Sequence, residues 1–142
     1  MVAKDFGLEL VTLDFSTADE IDRTFEMAAE HGVEAVLPLS DPMALDNAAR
    51  IGKLSLQQKI AVVSPFQEIT DAGGILGYGP DLSTLFHRSA AVVDQIIKGT
   101  KPGDIPIGEP QKFDLSINFN SSRRLGLAIP DSIISRATHV IH

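Results

Sequence analysis

Residues 60–86 read IAVVSPFQEITDAGGILGYGPDLSTLF, and the way this stretch divides decides the fold. IAVVSPF, residues 60–66, is a short apolar run of the kind expected for a strand covered on both faces. Residues 67–72 make a short helical turn or loop, and GILGY, residues 74–78, forms a second short strand. Asp81 then caps a long helix. Its apolar stripe is Leu82, Leu85, Phe86, Ala90, Val93, Ile96 and Ile97, and Gly99 ends it.

The flanking segments continue this alternation. LELVTL, residues 8–13, reads as a strand. Thr17 and Glu20 have the spacing of a capping box, with Thr17 as N-cap. Ile21, Phe25, Ala28 and Ala29 follow at helical spacing and Gly32 closes the turn, so a helix is predicted over residues 18–31. VEAVLPL, residues 33–39, reads as a buried strand. Asp41 before Pro42 starts a helix that carries Leu45, Ala48, Ala49 and Ile51 and runs to about residue 57. Residues 100–110, rich in proline and glycine, are a surface connection. FDLSINF, residues 113–119, alternates Phe113, Leu115, Ile117 and Phe119 as a half-buried strand does. One helical turn is expected at residues 121–125, and Pro130 starts a last short helix with Ile133 and Ile134.

This order predicts an α/β fold: an open, mostly parallel sheet flanked by helices, joined by right-handed crossovers. In such sheets ligands sit outside the carboxyl ends of the strands. The rule selects three loops, at residues 38–42, 64–66 and 78–81.

The bulk properties narrow the function. A chain of 142 residues is one domain's worth. With 44% apolar and 22% charged residues it should fold rather than remain disordered. A net charge of −7 without a dense Lys/Arg run argues against nucleic acid or an anionic membrane as partner. The chain has no cysteine, which removes disulfides, thiolate catalysis and cysteine metal sites. No apolar run reaches the roughly 18 residues that would span a bilayer. MVAKDFGLEL has no basic region followed by an apolar one, so it does not read as a signal peptide. The expectation is a cytoplasmic protein or a chain that begins inside a longer gene product.

The chemistry available points to binding. Gly74, Gly77 and Gly79 are followed by no lysine and have the wrong spacing for a dinucleotide loop. Their plain reading is tight backbone turns that leave Tyr78 at a strand end. Ser40 and Asp41 stand at another strand end, where Asp41 serves equally as a helix cap or as a partner for a ligand's ammonium or hydroxyl group. Phe66, just after a buried strand, can be core or a ligand platform. His31, His87, His139 and His142 form no catalytic constellation, and His139 with His142 are at most two ligands for a stray metal ion. The acidic residues Asp19, Glu20, Asp22 and Glu26 read as one solvated helix face, and no G-x-S-x-G elbow occurs. Neither a cofactor nor an acid/base pair is implied.

With the loops placed, a set of ordered motifs stands out. GGILGYGPDL (residues 73–82), KGTKP (98–102), DIPI (104–107), KFDLSIN (112–118) and LGLAIPDSI (125–133) follow one another, with HGVEAVLPLSDPM upstream. This series strongly resembles the ABC transporter substrate-binding proteins of the tryptophan/tyrosine type, which have the type I periplasmic-binding-protein fold. The likeness covers nearly the whole chain. Gly77 departs from it, since serine is commoner there.

The resemblance implies two α/β lobes joined by a hinge, with a small amino-acid-like solute clamped between them for delivery to an ABC permease. Such proteins are periplasmic or lipid-anchored. On this reading residues 1–142 are one lobe, the second, with residues 100–120 as hinge and return segment. The first lobe, and the first strand and helix of this lobe, would be missing. Ser40, Asp41, Phe66 and Tyr78 would line one wall of the cleft, and ligand binding by this chain alone would be weak or absent. An exposed sheet edge would invite a homodimer. A stand-alone sensory domain of the same fold is the alternative, and a small α/β enzyme a third reading.

Overall fold

The strands β1 (Ala35–Val36), β2 (Ala61–Ser64), β3 (Leu76–Pro80), β4 (Phe113–Asn118) and β5 (His139–Ile141) form one sheet in that order. The structure, a computed structural model, describes residues 2–142. Pairing is parallel between β1 and β2, β2 and β3, and β4 and β5, and antiparallel between β3 and β4. The helices are α1 (Val2–Asp5), α2 (Glu20–Glu30), α3 (Pro42–Asp46), α4 (Ala48–Gln58), α5 (Gln67–Asp71), α6 (Leu82–Ile97), α7 (Phe119–Leu125) and α8 (Asp131–Ile134). The expected α/β class is therefore observed: an open, mostly parallel sheet with helices around it.

The core lies where α2, α4 and α5 meet β2. Ile21, Phe25, Ala28, Ile51, Leu54, Ile69 and Val62 are buried there, with Ala44 and Ile60. On α2 the 21, 25, 28 spacing is one helix face, and burying it is what holds a helix this short. Arg50 ties the start of α2 to α4. It donates to the Ala18 carbonyl at 2.7 Å and pairs with Asp22, so that carboxylate is not simply solvated.

Several elements are displaced from their expected bounds, each for a local reason. Residues 8–13 form no strand, because no strand lies beside them among the described residues and a strand needs its backbone partnered. The helix begins at Glu20 rather than residue 18. Glu20 does reach back to the N–H groups of Ser16 and Thr17, at 2.7 and 3.2 Å, but the Thr17 hydroxyl caps nothing. The strand expected at 33–39 shrinks to Ala35–Val36, where Pro38 has no N–H to continue a ladder. The helix expected from Pro42 breaks at Asn47, whose amide donates to the Met43 carbonyl at 2.8 Å. β4 stops before Phe119, which opens α7.

The sequence reading places no element at the C-terminus, and there His139–Ile141 is a strand paired with β4. Its two histidines have separate partners. His139 Nε2 lies 3.0 Å from Asp71 Oδ1, and His142 stacks on Phe119.

The α6 stripe behaves least like the expectation. α6 begins at its Asp81 cap and Gly99 closes it, but none of its residues is buried. Leu82, Phe86, Val93, Ile96 and Ile97 all face solvent.

Candidate functional site

The carboxyl ends of β1, β2 and β3 share one edge of the sheet because these strands are parallel. β4 runs the other way, so its beginning lies at that edge too. This places Lys112 and Asp114 beside the loops after β2 and β3. Sequence reasoning missed both residues because the rule it used considers only where strands end.

A cavity of about 190 Å³ opens at this edge. The loop after β2 forms one side with Pro65, Phe66 and Glu68, and the other side is Pro80 and Asp81 at the start of α6. Gly77, Gly79, Asp114 and Ser116 lie along the β3–β4 ribbon between them. A side chain on either glycine would occupy this space. A Cβ on Gly79 would come within 2.0 Å of the Pro65 carbonyl oxygen, and one on Gly77 within 2.3 Å of Ser116 Oγ. Gly79 thus serves the close approach of the β2 loop to β3, and Gly77 leaves room for the Ser116 and Thr70 hydroxyls.

Polar groups below the cavity are already engaged. Ser116 Oγ donates to Thr70 Oγ1 at 3.1 Å, and Ser64 Oγ accepts from the Phe66 N–H at 3.0 Å. The second bond fixes the turn on which Phe66 is carried. Phe66 is half-buried, one part against the core cluster and one part on the cavity.

The charged rim is acidic. Glu68, Asp81 and Asp114 line the cavity and no lysine or arginine does. Lys112 stands next to them, 2.6 Å from Asp81 and 3.7 Å from Asp114. Asp81 also accepts from the Thr84 N–H as the cap of α6. The Lys112 ammonium first, and the Thr84 N–H second, hold the Asp81 carboxyl down at about 2 against an ordinary 3.8. Lys112 is raised in turn by Asp81.

A lowered folded-state pKa gives stabilisation that is complete above the ordinary carboxylate value and lost on acidification. The cap of α6 should therefore release between about pH 4 and pH 2. A carboxyl-detected NMR titration should find Asp81 titrating near 2, and moving up towards 3.8 in Lys112→Met. A wild-type midpoint already near 3.8 would contradict the pairing.

The residues singled out from sequence are distributed as follows. Phe66 is on the cavity. Asp41 and Ser40 are exposed beyond the end of β1, with Asp41 Oδ1 accepting from the Met43 N–H at 2.7 Å to cap α3. Tyr78 alternates with Gly77 and Gly79, so its ring projects from the opposite face of β3. There it stacks on Phe113, with centroids 5.6 Å apart. The site edge therefore holds Ser40, Asp41 and Phe66 on separate loops, and the pleat turns Tyr78 away from the cavity.

Solved structures share this fold. A conserved domain protein from Vibrio cholerae O1 biovar El Tor matches with a TM-score of 0.89 and 23% identity, over 97% of this chain and 46% of its own. An ABC domain from Streptococcus pneumoniae, solved in complex with L-Trp, matches with a TM-score of 0.89 and 23% identity, over 98% of this chain and 47% of its own. The ligand-free, open structure of a substrate binding protein with adhesive properties from Clostridium difficile matches with a TM-score of 0.65 and 18% identity, over 99% of this chain and 46% of its own. The chain thus spans about half the length of these proteins. No curated protein sequence matches it significantly. The family profile described as ABC transporter substrate binding protein runs through residues 1–141, and the chain belongs to that family.

Proposed function

We propose that this chain supplies one wall of a solute cleft, whose solute is a small amino-acid-like molecule bearing an ammonium group, for delivery to an ABC permease. The observation that carries the reading is the acid-rimmed cavity at the edge where β1, β2 and β3 end. At about 190 Å³ it is smaller than the roughly 300–1,000 Å³ of pockets that enclose a ligand. That size suits a surface which closes against a second one. The family and the neighbour solved with L-Trp support a solute of this class.

In this reading Phe66 offers its ring to an apolar body, and Asp114 and Glu68 attract the ammonium. Ser40 and Asp41 add polar contacts from the neighbouring loop, and Tyr78 with Phe113 flanks the cleft. Residues 1–142 form a single lobe, and residues 100–120 carry the hinge and return. The engaged state of the polar groups supports binding rather than turnover: Asp81 is held by Lys112, and Ser116 by Thr70. Delivery to a permease would place the protein outside the cytoplasmic membrane.

The test is an NMR titration of the chain with L-tryptophan and with indole-3-propionate, which lacks the amine. We expect millimolar affinity for tryptophan, with shifts centred on Phe66, Gly79 and Asp114. Asp114→Asn should weaken tryptophan about tenfold, the size of one charge-assisted contact, and leave the amine-free analogue unchanged. Micromolar affinity would refute the half-cleft. Shifts that avoid these residues, or none at all, would refute the site.

A further inference from the structure

We propose that Lys112 sets the charge preference of the cleft: its ammonium, held beside the carboxylate that receives the solute's amine, selects a zwitterion over a simple cation. The inference rests on the cleft reading, and adds to it a residue that stands beside the cavity rather than in its lining.

The three rim carboxylates differ in how far they are engaged. Asp81 is occupied. Its Oδ1 accepts from the Thr84 N–H at 3.1 Å, and its Oδ2 accepts from the Thr84 hydroxyl at 3.0 Å and from the Lys112 ammonium at 2.6 Å. That uses three of the roughly four acceptor positions a carboxylate offers. Asp114 is open. Lys112 Nζ lies 3.7 Å from its Oδ1, close enough for attraction but too long for a hydrogen bond, and among the described residues no hydrogen bond reaches this carboxylate. Glu68, on the β2 loop, has no ion pair among the described residues either.

Lys112 is fixed at both ends. Its carbonyl accepts the Asp81 N–H at 3.1 Å in the β3–β4 ladder, and its ammonium holds the Asp81 carboxylate. The hydrogen bond to Asp81 also raises Lys112, so its charge is present throughout the neutral range. A solute ammonium about 2.8 Å from Asp114 Oδ1 is then no more than about 6.5 Å from Lys112 Nζ, inside the roughly 8 Å over which charges act at physiological salt. A solute with an amine alone is drawn by Asp114 and opposed by Lys112. In a zwitterion, the carboxylate beside the amine offsets that opposition.

The test compares L-tryptophan with tryptamine, which keeps the amine and lacks the carboxylate, by NMR titration of the chain. The wild type should prefer tryptophan. Lys112→Met should tighten tryptamine about fivefold, the size of one like-charge contact near the surface, and leave tryptophan unchanged or weaker. Lys112→Arg keeps the charge and should keep the wild-type ratio of affinities. A ratio unchanged in Lys112→Met overturns the proposal, because Lys112 then only fastens the start of α6. A ratio shifted equally in Lys112→Met and Lys112→Arg overturns it too, by assigning the effect to shape rather than charge. In both of those outcomes the cleft itself stands. If neither molecule shifts Phe66, Gly79 or Asp114 in the wild type, the cleft reading falls and this proposal with it.

Discussion

Gly52→Ala should cost the chain about 3 kcal/mol, at the upper end of what overpacking a filled core does. Gly52 lies in the middle of α4 and faces the end of α5. A Cβ there would sit 2.1 Å from the Ala72 carbonyl oxygen and 2.9 Å from the Gly73 nitrogen, both backbone atoms that cannot rotate aside. Gly73 mirrors it: its own Cβ would meet the Gly52 carbonyl oxygen at 2.9 Å, at a φ of +133 that side chains rarely adopt. The two backbones touch because neither residue has a side chain. Restoring one methyl group must push α4 away from α5, and Ile51, Leu54 and Ile69 of the core move with them. Urea unfolding should show a lower midpoint with an unchanged slope. A loss below about 1 kcal/mol would mean that the helices slide apart without cost.

Asn118→Ala is expected to remove a similar amount, about 3 kcal/mol, for a polar reason. Asn118 is buried at the end of β4. Its Nδ2 donates to the Thr70 carbonyl at 2.8 Å, and its Oδ1 accepts from the Ser121 N–H at 3.0 Å as the cap of α7. One side chain thus fastens α5 to β4 and starts the helix that follows. Alanine would leave a buried carbonyl unsatisfied, which costs roughly 1–3 kcal/mol, and remove a cap worth about 1 kcal/mol. Because Asn118 lies at the end of β4 remote from the cavity, solute affinity should not change in protein that remains folded. A parallel loss of affinity in folded protein would place Asn118 in the site instead.

What could be read in advance follows from how local each signal is. Asp41, Asp81 and Gly32 each act within one helical turn, and all three end or begin helices as their chemistry predicts. The direction of β4 was not legible, because β3 and β4 are joined through residues 81–112 and nothing local to a strand states which way it runs. That direction carries Lys112 and Asp114 to the site edge, so the missing topology was also missing chemistry. Tyr78 is different. Its alternation with Gly77 and Gly79 was in the sequence, and the two-residue period alone would have set it on the other face. The unpaired 8–13 segment shows the opposite limit: strand propensity is visible in the residues, but a partner is not.

One further consequence lies in how the chain leaves the sheet and returns. Pro80 and Phe113 face each other across the antiparallel ladder, and the Asp81 N–H continues it to the Lys112 carbonyl at 3.1 Å. Two antiparallel strands meeting in this way can be closed by a turn of two residues. Everything from α6 to the return is therefore an excursion inserted into a hairpin. The sheet does not depend on its length, and loop-closure entropy rises only slowly with length. Such an excursion can be lengthened, exchanged or recruited to another body while the five strands beneath it keep their register.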